Sequence, residues 1–228
     1  MRSTGPPAAA DLPTKATELQ PSPTSQITGN EPAVRDVLTL AHHAGDRGWI
    51  PATSGNFSVR VDAAHAAVTA SGGDKAKLTT EGVIVADING PAHPRASAEA
   101  PLHLALYRIS PEIGAVAHVH SMASVLASLH FQKAGHLTLE GLELLKAFRG
   151  ATTHETSLDV PIFANTQDMD GLAVEVEKHF RGKPLGFGFL LAGHGLYAWG
   201  RDTADTLRHL DAFDYLFTLV LKLKGIPV

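Results

Sequence analysis

The sequence predicts an α/β fold in three α/β/α layers around a central mixed, largely antiparallel sheet. Three observations carry this. Short segments rich in Val and Ile, with Gly and Asp between them, follow the first helical stretch. Helical periodicity then alternates with short apolar runs. With 228 residues and 44% hydrophobic content, the chain can bury one sizeable core.

The elements follow in order. Residues 1–29 hold five of the fourteen prolines and no aromatic residue, so a disordered tail is expected there and a single domain over 30–228. Asn30 is a plausible N-cap with Pro32 in the first turn, and Val34, Val37, Leu38 and Ala41 recur at helical spacing until Gly48 stops the helix near Arg47. Phe57 to Val61, His65 to Ala70 and Gly82 to Ile88 read as strands. Ala98 to Ile109 reads as a helix, Ala115 to His120 as a buried strand, and Ser121 to His130 and Leu139 to Phe148 as two further helices. Val160 to Phe163 is a short strand and Asp168 to Phe180 a helix. Phe187 to Ala192 and Leu196 to Trp199 form an apolar pair broken by Gly-His-Gly, and a last helix spans about Thr203 to Lys224. Antiparallel strands first and interleaved helices later give a sheet covered on both faces.

A net charge of −4 with interspersed signs gives no reason to expect nucleic acid or an anionic membrane as partner. The absence of cysteine excludes disulfides, thiolate zinc sites and cysteine nucleophiles, and fits a cytoplasmic setting. No apolar run approaches the roughly 18 residues that span a bilayer, and the first residues lack the apolar core of a signal peptide.

Thirteen histidines are the informative excess. His118 and His120 end an apolar strand two residues apart, so both rings lie on one face. His194 stands between Gly193 and Gly195 at the end of another apolar strand. Three neutral ring nitrogens could hold zinc and leave a position open for substrate. Thr53-Ser54-Gly55-Asn56 and Ser71-Gly72-Gly73-Asp74-Lys75 offer hydroxyls, free N–H groups and one ammonium, and so could cradle a phosphate; they also have the composition of ordinary turns. Glu99 and Glu143 are the carboxylates suited to removing a carbon-bound proton beside a metal-held ketone, or else solvated helix charges.

In order and spacing, Thr53-Ser54-Gly55-Asn56, Ser71-Gly72-Gly73-Asp74-Lys75, Glu99-Ala100-Pro101-Leu102-His103, His118-Val119-His120-Ser121 and Gly193-His194-Gly195 resemble the class II aldolase and adducin family over residues 33 to 222. The segments 139–146, 160–166 and 195–200 are similar to the methionine-salvage branch of that family. The resemblance implies a cytoplasmic, homotetrameric zinc enzyme, with one ion per subunit and an active site near a subunit interface. It implies removal of water from 5-methylthioribulose 1-phosphate, giving 2,3-diketo-5-methylthiopentyl 1-phosphate. His118, His120 and His194 would be the metal ligands and Glu143 the acid–base residue, with Glu99 second to it. Ser54, Gly55, Asn56, Ser71, Gly72 and Lys75 would surround the substrate phosphate. Gly73 stands where that branch carries a bulkier, often basic residue. Two rivals remain: an aldolase or epimerase acting on another sugar phosphate such as fuculose or ribulose phosphate, and a non-catalytic scaffold of the adducin type, which would have lost these histidines.

Overall fold

The structure, a computed structural model, describes residues 29–228, so the expected tail lies, apart from Gly29, outside the described residues. Helix α1 (Glu31–Asp46) begins with Pro32 in its first turn and buries Val34, Val37, Leu40, Ala41 and Ala44, one stripe at helical spacing. Asn30 caps this helix through its carbonyl, which accepts from the Val34 N–H at 3.1 Å; its side chain makes no capping hydrogen bond. Strands β1 (Asn56–Arg60), β2 (His65–Thr69) and β3 (Val83–Asp87) form an antiparallel meander. Helix α2 (Ala100–Ile109) leads to β4 (Ala115–Val119), and Ser121 caps α3 (Met122–Phe131) by accepting from the Ser124 N–H. After β5 (His136–Glu140) and β6 (Ser157–Phe163), Asp168 caps α4 (Met169–Phe180). Strands β7 (Gly188–Leu191) and β8 (Gly195–Gly200) precede α5 (Thr203–Leu223), capped by Asp202.

The eight strands form one sheet in the order β3-β2-β1-β4-β8-β7-β6-β5, in which only β6 and β7 pair in parallel. Its two faces carry separate cores. Ala115, Ala117 and Val119 of β4 pack with α1, α3 and α5, whereas Val116 packs with α2 and α4. This is the three-layer arrangement expected from the alternation of elements. Among the described residues no helix is long and apolar enough to cross a membrane.

One expected element is corrected. Residues 139–148 are not a helix: β5 ends at Glu140, Gly141 turns the chain at φ +68°, and a 3₁₀ turn covers Glu143–Ala147. Leu137 and Leu139 are buried, alternating with exposed His136 and Glu140 and half-buried Thr138, and pair with β6, so a period of two governs where a run of leucines suggested 3.6.

The centre of the sheet leaves no room at Gly195. A Cβ there would stand 2.2 Å from the Val119 carbonyl oxygen, across the β4–β8 pairing. Gly195→Ala is therefore expected to lose about 2–3 kcal/mol of stability, as overpacked cores do, read as a lower urea midpoint. A wild-type midpoint would show that β4 and β8 can separate freely at this point.

Candidate active site

His118 occupies the penultimate position of β4, fully buried, opposite Asn56 of β1 on one side and Tyr197 of β8 on the other. His120 follows two residues later on the same side. His194 lies in the tight turn between β7 and β8, where Gly193 adopts φ +68°. The three Nε2 atoms converge: His120 lies 2.8 Å and His194 3.3 Å from His118, and one ligand atom from each ring falls within 4.8 Å of the others.

Hydrogen bonds on the far side of two rings decide what faces the centre. His118 Nδ1 donates to the Leu196 carbonyl at 3.0 Å, and His194 Nδ1 donates to Asn165 Oδ1 at 3.1 Å. Each neutral ring then turns a bare Nε2 lone pair inward. Lone pairs facing at such distances repel unless a cation lies between them. Burial pushes His118 well below its ordinary range and His120 down to about 4, which keeps both rings in the form that binds metal. The donor set fits a divalent ion of the zinc type, with a position left for another ligand.

Glu99, just before α2, completes the cluster. Its Oε1 is 3.1 Å from His194 Nε2 and its Oε2 is 3.4 Å from His118 Nε2, while Asn56 Nδ2 donates to Oε2. Burial alone would raise this carboxyl, but its contacts with His194, His118 and Asn56 outweigh burial and hold it far below the carboxylate range. A cation shared between Glu99 and the rings is what this arrangement demands. Tyr197 stacks on His118 at 4.1 Å, its phenol held protonated by burial and by the Glu99 charge.

The two loops expected around phosphate lie together. Ala52 and Thr53 adopt left-handed φ values of 52° and 66°, rare outside glycine, and Gly55 follows at 79°, where a Cβ would strike Ile50 and the His118 carbonyl. Ser54 Oγ is buried without a hydrogen-bond partner; Ser71 and Gly72 are exposed. Lys75, buried, donates through Nζ to the carbonyls of Gly72 at 3.1 Å, Gly73 at 3.2 Å and Thr53 at 3.4 Å, so one ammonium ties the loops to each other. Asn56 is committed to Glu99 and to His103.

Glu143 stands elsewhere. It is exposed on the 3₁₀ turn, paired with Lys146 at 2.6 Å, and its hydrogen bond to that ammonium lowers its carboxyl. It lines a groove between α1, α5 and that turn, with Trp49, Asp211 and Tyr215, and touches none of the three histidines of its own chain. Asn165, Tyr197 and His103 fall inside the segments 160–166, 195–200 and 99–103 that carry the family resemblance, but sequence reasoning gave none of them a role in the site.

Comparison with known proteins gives a consistent result. The profile of the class II aldolase and adducin N-terminal domain matches residues 35–221. A protein of Parvibaculum lavamentivorans named methylthioribulose-1-phosphate dehydratase is 54% identical over 189 residues, covering 83% of this chain and 93% of that protein. A protein of the same name from Xanthomonas euvesicatoria pv. vesicatoria is 50% identical over 198 residues, covering 84% and 89%. Among solved structures, the L-fuculose-1-phosphate aldolase of Thermus thermophilus matches with a TM-score of 0.68 at 25% identity, covering 84% of this chain and 95% of that one. A sugar-phosphate aldolase from Thermotoga maritima matches with a TM-score of 0.62 at 16% identity, covering 86% and 97%.

Two outcomes are expected from this geometry. Asn165→Ala removes the acceptor that orients His194 and should weaken zinc binding about 10- to 100-fold, the usual cost of losing such a partner, read by competition with a chelator. Wild-type affinity would mean that the turn alone orients the ring. For pH, burial holds His103 at about 4 in the folded chain against 6.5 for an ordinary histidine. The unfolded chain therefore takes up this proton first as pH falls, and stability present above pH 6.5 is lost progressively down to about pH 4, by up to a few kcal/mol. Urea midpoints of metal-free protein that stay level across this window would contradict a neutral, buried His103.

Proposed function

The chain belongs to the class II aldolase and adducin family, and from that premise we propose that it is a zinc-dependent hydro-lyase. It removes water from 5-methylthioribulose 1-phosphate, giving 2,3-diketo-5-methylthiopentyl 1-phosphate in methionine salvage. The observation that carries the reading is the convergence of His118, His120 and His194 beside Glu99, in a chain about half identical to relatives named for this dehydration. A homotetramer with one ion per subunit, in the cytoplasm, completes the proposal; the lack of cysteine and of a membrane-spanning helix among the described residues agrees with that setting.

Zinc held by the three histidines would supply Lewis-acid polarisation of the C2 ketone, which acidifies the proton on C3. A carboxylate takes that proton; the C4 hydroxyl then departs as water once a proton is returned to it, and the enol left behind becomes the diketone. Glu99 is ill suited to both transfers, because its two oxygens are already engaged with His194, His118 and Asn56. Glu143 is the acid–base residue of this reading. It is exposed and away from the histidines of its own chain, so it serves the cluster of an adjacent subunit, where burial would raise its carboxyl toward the working range. Ser54 and Gly55, with Ser71 and Gly72, offer hydroxyls and N–H groups to the phosphate. Asn56 and Lys75, committed to partners of their own, hold the loops in place.

An aldolase acting on another sugar phosphate is the second reading, favoured by the fold likeness to L-fuculose-1-phosphate aldolase. Mass spectrometry separates the two. Loss of one water from 5-methylthioribulose 1-phosphate, abolished by chelation and restored by zinc, is the expected result; carbon–carbon cleavage products instead would establish the aldolase. Glu143→Gln should keep its zinc and lose about 10²- to 10⁴-fold in turnover. Co-expressed His118→Ala and Glu143→Gln chains should recover about a quarter of the activity through sites built from two subunits. No recovery would place both groups in one chain.

A further inference from the structure

β1 and the α2 segment meet along a polar face. Asn56, Ser58 and Arg60 point to one side of β1, and Glu99, His103 and Tyr107 recur every fourth residue along the helix and its first cap. The two periods mesh. His103 Nε2 lies 2.5 Å from Asn56 Oδ1, Ser58 Oγ lies 2.7 Å from His103 Nδ1, and Tyr107 OH lies 2.8 Å from Ser58 Oγ. Arg60 closes the row, stacked over the Tyr107 ring at 4.7 Å and donating to the Tyr107 carbonyl. Ser58 and His103 are wholly buried, Asn56 and Tyr107 nearly so.

The direction of every hydrogen bond in this row follows from how Asn56 is turned. Its Nδ2 donates to the Glu99 carboxyl, which leaves its Oδ1, an acceptor only, facing His103. Nε2 of His103 must then carry the proton. The neutral ring leaves Nδ1 as acceptor, so Ser58 donates there and must itself accept from Tyr107. Packing alone does not ask for this, because apolar residues of the same shape would fill the β1–α2 interface without loss of stability.

We propose that Tyr107, Ser58, His103 and Asn56 form a one-way hydrogen-bond chain that positions the Glu99 carboxylate at the histidine cluster, with His103 fixed as the Nε2–H tautomer. The inference deepens the metal-dependent reading above and rests on it for the carboxylate's purpose. His103 is thus a positioning residue: it touches neither metal ligand nor substrate and acts through Asn56. Burial, which holds His103 down to about 4, agrees with a neutral ring across the working range.

The test reads the ring directly. In metal-free, nitrogen-15-labelled protein, imidazole spectra should show the His103 proton on Nε2 from about pH 5 to pH 8; a proton on Nδ1, or a charged ring, overturns the proposal. Ser58→Ala removes the donor to Nδ1 and should give a mixture of tautomers, with zinc bound about tenfold more weakly in chelator competition. His103→Leu, which keeps the interface filled, should lose as much zinc affinity, and His103→Gln, which keeps a donor for Asn56, should recover part of it. Wild-type zinc affinity in both Ser58→Ala and His103→Leu overturns the positioning role. None of these readouts uses substrate. A protein that responds in this way yet does not dehydrate 5-methylthioribulose 1-phosphate keeps the positioning role and loses only the substrate reading, whereas a protein that binds no zinc loses both.

Discussion

The antiparallel pairing of β4 with β8 at the centre of the sheet is the constraint on which the rest depends. It sets His118 against Tyr197, gives the Leu196 carbonyl to the His118 ring, and delivers the β7–β8 turn that carries His194. The approach is so close that Gly195 cannot carry a side chain. Metal-binding geometry here is therefore a property of a backbone register, held by two cores on opposite faces, and needs no flexible loop to find it.

Around that register the chain organises charge with few groups. The imidazoles of His118 and His194, turned inward by their outer hydrogen bonds, create with His120 a demand for a cation, and Glu99 adds the opposite charge at the same point. Burial keeps His118 and His120 neutral while directed contacts keep the Glu99 carboxylate ionised, so desolvation prevails at those two rings and loses at Glu99. The same economy holds at the loops of residues 52–56 and 71–75. Their strained backbone is stitched by the Lys75 ammonium, whose three carbonyl partners replace the water it has given up. A lysine engaged in this way shapes a ligand pocket through backbone position more than through its own charge.

The site is divided between what one chain completes and what it leaves open. Histidines, Glu99 and both loops assemble within one chain, whereas Glu143 faces a groove walled by Trp49 and Tyr215. An exposed carboxylate next to exposed aromatic and aliphatic surface, Tyr215 at 60% and Leu144 at 38%, suits a face covered by a second copy. Under the proposed function, a base from one copy acting at the histidine cluster of another would tie activity to assembly.

Much of this was legible in the residues. Periodicity alone places the strands of the first meander, the helices at 100–109 and 169–180, and the pairing of His118 with His120, because strand and helix periods are local properties of the chain. The family motifs place His194 with them. What failed was local ambiguity at residues 139–148, where leucines fit a helix as well as an alternating strand and only pairing with β6 decides. Of the partners of the site, Asn165 and His103 lie in segments that resemble the family yet show no role by themselves, and Ser58 lies in none. By itself, then, the sequence determined the layers, the histidines that converge and the family, since these depend on composition and spacing along the chain. Only the tertiary structure decided which carboxylate meets the histidines, which way each ring points, and that Lys75 serves the loops, because those outcomes depend on groups far apart in sequence competing for the same few hydrogen bonds in a buried space.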